Sequence, residues 1–380
     1  MKKQRPSSTP LYLRIHSDLK QRIQDGEWNY GARLPSEFEL SEIFQISRGT
    51  LRQVLNELEN EGLVRRERGR GTFITYSLLR KAPDQSKNHT IAFIVPYVRD
   101  SFVSSILLGL EREARLNKYA VIFSHFENDP EKQEQALALA LQQRVSGIIL
   151  YPVNSRAGSP LLKELARKKF PIVLVDRYLP GLDMDYVTSD NFSGGLIATQ
   201  HLLCLGHQKI AFLRWTESAT SINHRQAGYR QALEEAGIQP DERLEWEVRG
   251  YPEVDQNALE EKLRGPDRPS AIFAANDQLA ISVQKAAREV GLTIPADLAL
   301  VGFDNLDISS HLDIPLTTVA QPAFEIGQTA WEVLNFKFLS ETGLIQKRLL
   351  PVQLIIRRSC GAIASSRKEV EPGTNTIDAR

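Results

Sequence analysis

Several apolar runs in this chain end on polar residues of matching chemistry. PIVLVDR closes on Asp176 and Arg177, AIFAAND on Asn276 and Asp277, and LALVGFDN on Asp304 and Asn305. Gln321 follows LTTVA, and Arg225 opens a helical pattern after KIAFLRW. A sugar hydroxyl both donates and accepts, so carboxylates, amides and an arginine fork held side by side would satisfy adjacent hydroxyls of a small sugar. Phe102 or Tyr251 would cover the apolar face of its ring. Each of these residues taken singly has a plainer use, as a strand-end cap or half of a surface ion pair, and residue type alone leaves both uses open.

A second group lies in RLPSEFELSEIFQISRGTLRQVLNELENEGLVRRERGRGTFI, residues 33–74. Ser47, Arg48, Thr50 and Arg52 crowd the first turns of a predicted helix, where amide N–H groups and the positive end of the dipole favour phosphate. An arginine fork also matches the two acceptors on the major-groove edge of guanine, so Arg48 and Arg52 are expected to read bases or phosphates. Arg68, Gly69, Arg70 and Gly71 form the tip of a predicted hairpin, where glycine permits the turn and arginine suits a minor groove or its flanking phosphates. An amphipathic helix pair or a solvated hairpin alone needs no nucleic acid. The two in this order point to DNA.

The elements that must position these groups are legible as periodicity. Leu11, Ile15, Leu19 and Ile23 recur at every fourth position of a helix over residues 11–26. Ser36 caps a short helix over 37–44, whose apolar face is Leu40, Ile43 and Phe44. Ser47 opens the next, with a core stripe of Leu51, Val54, Leu55 and Leu58. After a polar stretch containing Pro83, short β-rich runs (TIAFIVP, YAVIFSHF, GIILYPV, PIVLVDR, KIAFLRW, AIFAAND, LALVGFDN) alternate with helical patterns over 102–116, 131–143, 192–203, 226–236 and 279–290. That alternation predicts parallel sheets with helices on both faces, and its length predicts two lobes. Ligands of such sheets bind at the carboxyl ends of strands, where the first group of residues lies.

Composition excludes other classes. The 380 residues are 42% hydrophobic and 25% charged, with a net charge of zero, as ordinary globular chains are. Residues 1–80 carry a net +4 and the rest a net −4, so the basic excess falls on the segment expected to meet DNA. MKKQRPSSTP has no apolar stretch behind it and no run approaches a membrane span, so a cytoplasmic protein without a membrane partner is expected. Two cysteines, Cys204 and Cys360, without metal-ligand spacing fit a reducing compartment. His125, His207 and His224 are isolated and read as turn or surface residues. With no metal cluster, phosphate loop, G-x-G-x-x-G or nucleophile motif, no catalytic residue, metal or cofactor is expected.

The spacing of RLPSE, SRGTLRQVLNELENEGLVRR and GRGTFI resembles the winged-helix head of the GntR family of bacterial transcription regulators, over roughly residues 8–76. The resemblance implies that Ser47, Arg48, Thr50 and Arg52 are recognition-helix contacts, with Arg33 and Ser36 of RLPSE counted beside them, and that residues 68–71 are the wing. Many members carry arginine where this chain has Phe38, so one expected contact is missing or supplied from elsewhere.

The segments DRYLPGLDMDYVTSDNFSGGLIATQHLLCLGHQKIAFL, HRQAGYRQAL, FAANDQLAISVQKAAREVGLTIPADLALVGFDN and PLTTVAQP are similar to the effector domain of LacI/GalR regulators, themselves akin to periplasmic sugar-binding proteins. The resemblance implies that Arg225, Asn276, Asp304 and Gln321 contact sugar and that Asp176 and Arg177 are the pair of ribose-type members. It places Phe102 and Tyr251 at stacking positions and makes Asp277 a holder of the hinge between lobes. The expected organisation is a winged helix-turn-helix over 1–76, a linker over 77–89, a two-lobed periplasmic-binding-protein-like α/β domain with doubly wound parallel sheets over 90–362, and a polar tail over 363–380. The pairing looks like the architecture of arabinose-responsive repressors and lacks the LacI hinge helix. It implies a homodimeric repressor that binds near-palindromic double-stranded operator DNA and is released by a monosaccharide, a pentose being favoured. A co-repressed or activating regulator is the alternative; a transport-associated binding protein or a sugar-modifying enzyme lacks the export signal or catalytic motif it would need.

Overall fold

The computed structural model describes residues 11–24, 27–28, 32–61, 63–67, 70–74, 89–153, 159–217, 219–249, 254–339 and 344–362. Arg68, Gly69, Tyr251, Gly26, the linker apart from His89, and the tail after Ala362 lie outside them. Two compact units emerge, one of Met1–His89 with Leu116–Tyr119 and Asn335–Gly343, the other of Thr90–Arg115, Ala120–Leu334 and Leu344–Arg380.

In the first unit, α1 (Leu11–Gln24), α2 (Glu37–Phe44) and α3 (Arg48–Asn60) are followed by an antiparallel hairpin of β1 (Val64–Glu67) and β2 (Gly71–Ile74). Leu51, Val54, Leu55 and Leu58 of α3 are fully buried against Leu19, Ile23, Leu34 and Leu40, as the stripe predicts. Both helix starts are set by serine. The Ser36 hydroxyl accepts from the Glu39 amide while the Glu39 carboxylate accepts from the Ser36 amide, and the Ser47 hydroxyl accepts from the Thr50 amide at 3.1 Å. Gln45, at φ 52°, turns the chain between them. Ile43 departs from the expected apolar face and is 55% exposed. Phe44 and Ile43 flank Leu40 from opposite sides, about 100° apart, and an eight-residue helix covers only one flank. The hairpin also gains a third edge: Leu34 donates to the Thr72 carbonyl at 2.8 Å, Ile74 donates to that of Ala32 at 2.9 Å, and Arg33 stands opposite Phe73.

The second unit holds two six-stranded sheets. The chain runs β3 (Thr90–Val95), α4 (Ser101–Leu116), β4 (Ala120–His125), α5 (Pro130–Gln142), β5 (Gly147–Leu150), α6 (Pro160–Arg167), β6 (Ile172–Val175) and β7 (Asp185–Ser189). It continues through α7 (Asn191–Cys204), β8 (Ile210–Trp215), α8 (Thr220–Glu235), β9 (Glu245–Val248), α9 (Gln256–Arg264), β10 (Ala271–Ala274), α10 (Asp277–Glu289), β11 (Ala299–Asp304) and β12 (Thr317–Ala320). It ends with α11 (Ala323–Leu339), β13 (Lys347–Leu350) and β14 (Gln353–Ile355). Strand order is β4-β3-β5-β6-β7-β13 in one sheet and β9-β8-β10-β11-β12-β14 in the other, all parallel except β14, which pairs antiparallel with β12. All seven predicted strands are present. Six of them, β3, β5, β6, β8, β10 and β11, carry apolar runs buried on both faces, the signature of inner parallel strands, whereas β4 closes its sheet as an edge and leaves Ile122 and Phe123 exposed.

The chain passes between the lobes three times, at residues 189–191, 320–323 and 350–353. Two crossings lead straight into helices that touch their neighbours backbone to backbone. A Cβ on Gly195 of α7 would stand 2.1 Å from the Arg225 carbonyl oxygen of α8, and one on Gly228 2.1 Å from that of Phe192. In the other lobe, Gly109 of α4 and Gly327 of α11 make the equivalent crossing, each 2.0 Å from a facing carbonyl oxygen by the same measure. Each lobe therefore moves with the helix that enters it, because glycine lets the pair interlock.

Candidate functional site: a polar cleft and a basic helix

The strand ends of both sheets face a common cleft of about 640 Å³, including space open to solvent. It is lined by Phe102, Asp176, Arg177, Arg225, Asn276, Asp304 and Gln321, which are the residues expected there except Tyr251. The lining also includes Tyr97, Asp100, Asn128, Tyr151, Trp215, Ser221 and Gln278, none of which was expected from sequence. Tyr97 and Asp100 occupy the loop after β3, Tyr151 follows β5, and Trp215 ends β8, so a search for polar or aromatic residues just past every strand would have found them.

Arg225 does not open its helix. It lies in the second turn of α8, which begins at Thr220, and is almost wholly buried. Its Nε donates to Asn191 Oδ1 at 2.8 Å, and Nη1 donates to the Ala275 carbonyl at 2.5 Å and to Asp304 Oδ1 at 3.5 Å. The guanidinium lies 3.6 Å from the Phe303 ring centroid. Gln321 Nε2 donates to the same Asp304 oxygen at 2.7 Å. Gln321 Oε1 and Asn128 Oδ1 are buried in the cleft without a hydrogen-bond partner, and buried polar atoms are seldom left so unless a ligand or water meets them. Asn276 caps α10 by accepting from the Leu279 amide at 2.9 Å, leaving its amide NH2 for a ligand.

In the other lobe, Arg177 lies 4.4 Å from the Tyr151 ring centroid, and its Nε donates to Asp176 at 3.4 Å. Phe102 meets Tyr151 edge to face at 6.5 Å, and its own ring lines the cleft. Asp176 (φ 65°) and Asp304 (φ 109°) both adopt a left-handed backbone, which side chains other than glycine seldom do. Such strain gathers at ligand sites.

Three carboxylates share the cleft with two guanidinium groups. Burial raises Asp304 well above the usual carboxylate range; Arg225 opposes this, and the carboxylates of Asp277, Asp100 and Asp176 add to it. Burial likewise raises Asp100 and the Tyr151 phenol. Asp277 does not bridge the lobes as expected. It accepts from the Thr318 hydroxyl at 2.6 Å, the Leu306 amide at 2.9 Å and the Ser309 hydroxyl at 2.6 Å, all within its own lobe. It fastens the loop after β11, and burial pushes it up to about 6. The contacts between lobes lie elsewhere: Gln278 donates to Asp100 at 3.3 Å, Asp307 N–H to Ser101 Oγ at 3.1 Å, Tyr178 N–H to Thr220 Oγ1 at 3.1 Å, and Ser221 to Asp176 at 3.4 Å. His224, expected as an isolated residue, joins this seam through the Tyr178 hydroxyl at 3.2 Å.

In the first unit, Arg48 and Arg52 are exposed on the first turns of α3, as expected. Arg52 donates to Glu37 at 2.8 Å, and the Arg48 guanidinium lies 5.2 Å from the Phe38 ring centroid. Phe38 and Glu37, neither of them among the expected contacts, thus orient the two arginines. Ser36 and Ser47 cap helices, and the Thr50 hydroxyl is bonded to that of Ser47 at 2.9 Å. Arg70 pairs with Glu67 at 2.8 Å. Gly71, at φ 124°, belongs to β2 and lies against Arg33, which would stand 2.6 Å from a Cβ there.

Residues 11–74 match the pattern of bacterial regulatory proteins of the gntR family, and residues 199–360 that of a periplasmic binding protein-like domain. The chain is 30% identical to an arabinose metabolism transcriptional repressor of Geobacillus stearothermophilus over 333 residues, 86% of this chain and 90% of that one. It is 34% identical to the HTH-type transcriptional regulator DegA of Bacillus subtilis over 274 residues, 72% of this chain and 81% of that one. A solved LacI family transcriptional regulator from Enterococcus faecium with bound ribose superposes with a TM-score of 0.62 at 27% identity, covering 71% of this chain and 98% of that one. Among the described residues, no helix is long and apolar enough to cross a membrane.

Proposed function

Because the chain belongs to the bacterial transcriptional regulators that join a gntR-type head to a periplasmic-binding-protein-like effector domain, we propose that it represses transcription until a small sugar enters its cleft. The head is assigned to residues 1–76, the linker to 77–89 and the effector domain to 90–362. The regulator acts in the cytoplasm as a homodimer, presenting two heads to the half-sites of a near-palindromic operator. Arg48 and Arg52 meet bases or phosphates in the major groove, and Arg33, Arg70 and the wing tip meet the flanking backbone.

The observation that carries the effector half is Gln321 Oε1, buried and unpartnered beside the Arg225–Asp304 pair. A ring hydroxyl there would donate to Gln321 and accept from Arg225, while Asp176, Arg177 and Asn276 address the remaining hydroxyls. Phe102, Tyr151 and Trp215 supply flat apolar surface for the ring. A pentose fits this reading, in keeping with the arabinose repressor and the ribose-bound regulator among the relatives. The sugar bridges both lobes and favours their closed arrangement, and the operator is released by no more than its differential affinity for that arrangement.

Thermal-shift screening against arabinose, ribose, other pentoses, hexoses and their phosphates tests the proposal, with Arg225→Ala as control. A sugar that raises the wild-type midpoint but not the variant's, and that then weakens operator binding, is the expected outcome. No response anywhere in the panel overturns the sugar reading. A sugar that tightens operator binding makes the protein co-repressed.

A further inference from the structure

Asn191 is the first residue of α7, at the first passage of the chain between the lobes, and is 2% exposed. Its side-chain amide reaches in both directions. Oδ1 accepts from Arg225 Nε at 2.8 Å, on the side of the second lobe. Nδ2 donates to the Ser189 carbonyl at 2.9 Å and to Thr188 Oγ1 at 3.1 Å, on the last residues of β7 in the first lobe. The Thr188 hydroxyl in turn donates to the carbonyl of Asp176 at 2.6 Å. Asp176 is the residue held at φ 65° with its side chain on the cleft.

Asp176, Thr188, Ser189, Asn191 and Arg225 are all buried. Water cannot replace these hydrogen bonds while the segment stays closed, so each lost donor leaves an unsatisfied acceptor. The second-lobe end of the relay is stiff, because the Gly195–Arg225 crossing makes α7 and α8 move together. The first-lobe end is stiff because β7 is paired on both sides, with β6 and β13. At this passage, rotation between the lobes therefore falls on the peptides at 189–190, and the Asn191 amide spans them.

We propose that Asn191 is a positioning residue, a strut across the hinge that ties the angle between the lobes to the placement of Asp176 and Arg225. The strut favours the arrangement in which the lobes touch, and it delivers one cleft residue from each lobe when that arrangement forms. The inference rests on the cleft as effector site only for its consequence; the strut itself is testable without any ligand.

The experiment is amide-resolved hydrogen exchange on the full chain without added sugar, comparing wild type with Asn191→Asp and Thr188→Val. Asn191→Asp keeps the acceptor for Arg225 and removes both donors to the first lobe. Thr188→Val removes the hydroxyl at nearly constant shape. The amides of Tyr178 and Asp307 report on opening, since each donates across the seam. Both variants are expected to speed exchange at these two amides by about three- to tenfold, the range of one net hydrogen bond, while Ile94 and Phe273 in the sheet cores keep wild-type rates. Acceleration confined to the core strands would mean a merely structural role, and unchanged rates at Tyr178 and Asp307 would remove the strut; either overturns the proposal. Failure of the sugar panel would sink the effector reading and leave this result standing.

Discussion

Replacing Arg225 by methionine would keep most of the side-chain volume and strand Asp304 in the cleft. The two side chains are 4% and 13% exposed and 3.5 Å apart. At an effective dielectric of 20 their attraction is roughly 5 kcal/mol, and breaking a buried pair by removing one partner costs about 3–5 kcal/mol. Each kcal/mol moves the midpoint by about 2–4 °C in a domain of this size, so scanning calorimetry at pH 8 is expected to show a drop of about 10 °C. The sign with pH follows from Asp304, whose carboxyl is already raised by burial, a shift that Arg225 opposes. Without the arginine its folded pKa rises further, so the variant gains stability relative to wild type as pH falls, and the gap at pH 5 should be smaller than at pH 8. Asp304→Asn added to Arg225→Met should recover most of the loss by removing the uncompensated charge. An equal gap at both pH values, or no recovery in the double variant, would refute the reasoning.

Three further outcomes are expected. Gly195→Ala would set a methyl 2.1 Å from the Arg225 carbonyl oxygen, forcing α7 from α8 at a cost of about 3 kcal/mol or more; a wild-type midpoint would show that the crossing is not tight. Asp277 titrates at about 6 when folded, against 3.8 ordinarily, so its contribution favours the folded state below 3.8 and is lost as pH rises through 6. Urea unfolding of Asp277→Asn should therefore show a flatter pH dependence between 4 and 6.5 than wild type, and an unchanged slope would exclude that group. Phe38→Ala should weaken binding to an operator selected in vitro by about two- to fivefold, the worth of an exposed cation–π contact, because Arg48 loses the ring beneath it; unaltered affinity would show that the ring does not hold the arginine.

Local pattern decided much of this protein. The helix starts at Ser36 and Ser47, the stripe from Leu51 to Leu58 and seven of the parallel strands are each written in a few consecutive residues, because caps, the helical repeat and short β-rich apolar runs act over one or two turns. Strands such as Glu245–Val248, Lys347–Leu350 and Gln353–Ile355 were not legible. They lie at or near sheet edges and carry charged or polar residues, and what makes them strands is a partner distant in sequence. The polar strand ends announced a ligand site, yet not its geometry. That Arg225 is buried inside a helix and that Asp277 fastens the loop of its own lobe depend on how the strands and helices of that lobe pack, and that Asn191 reaches from Arg225 to Thr188 depends on the passage of the chain between the lobes. Residue types and their local spacing determined which elements form and which chemistry they carry. Only the tertiary structure decided which side chains meet, because a hydrogen bond between residues far apart in the chain exists only once both backbones have been placed.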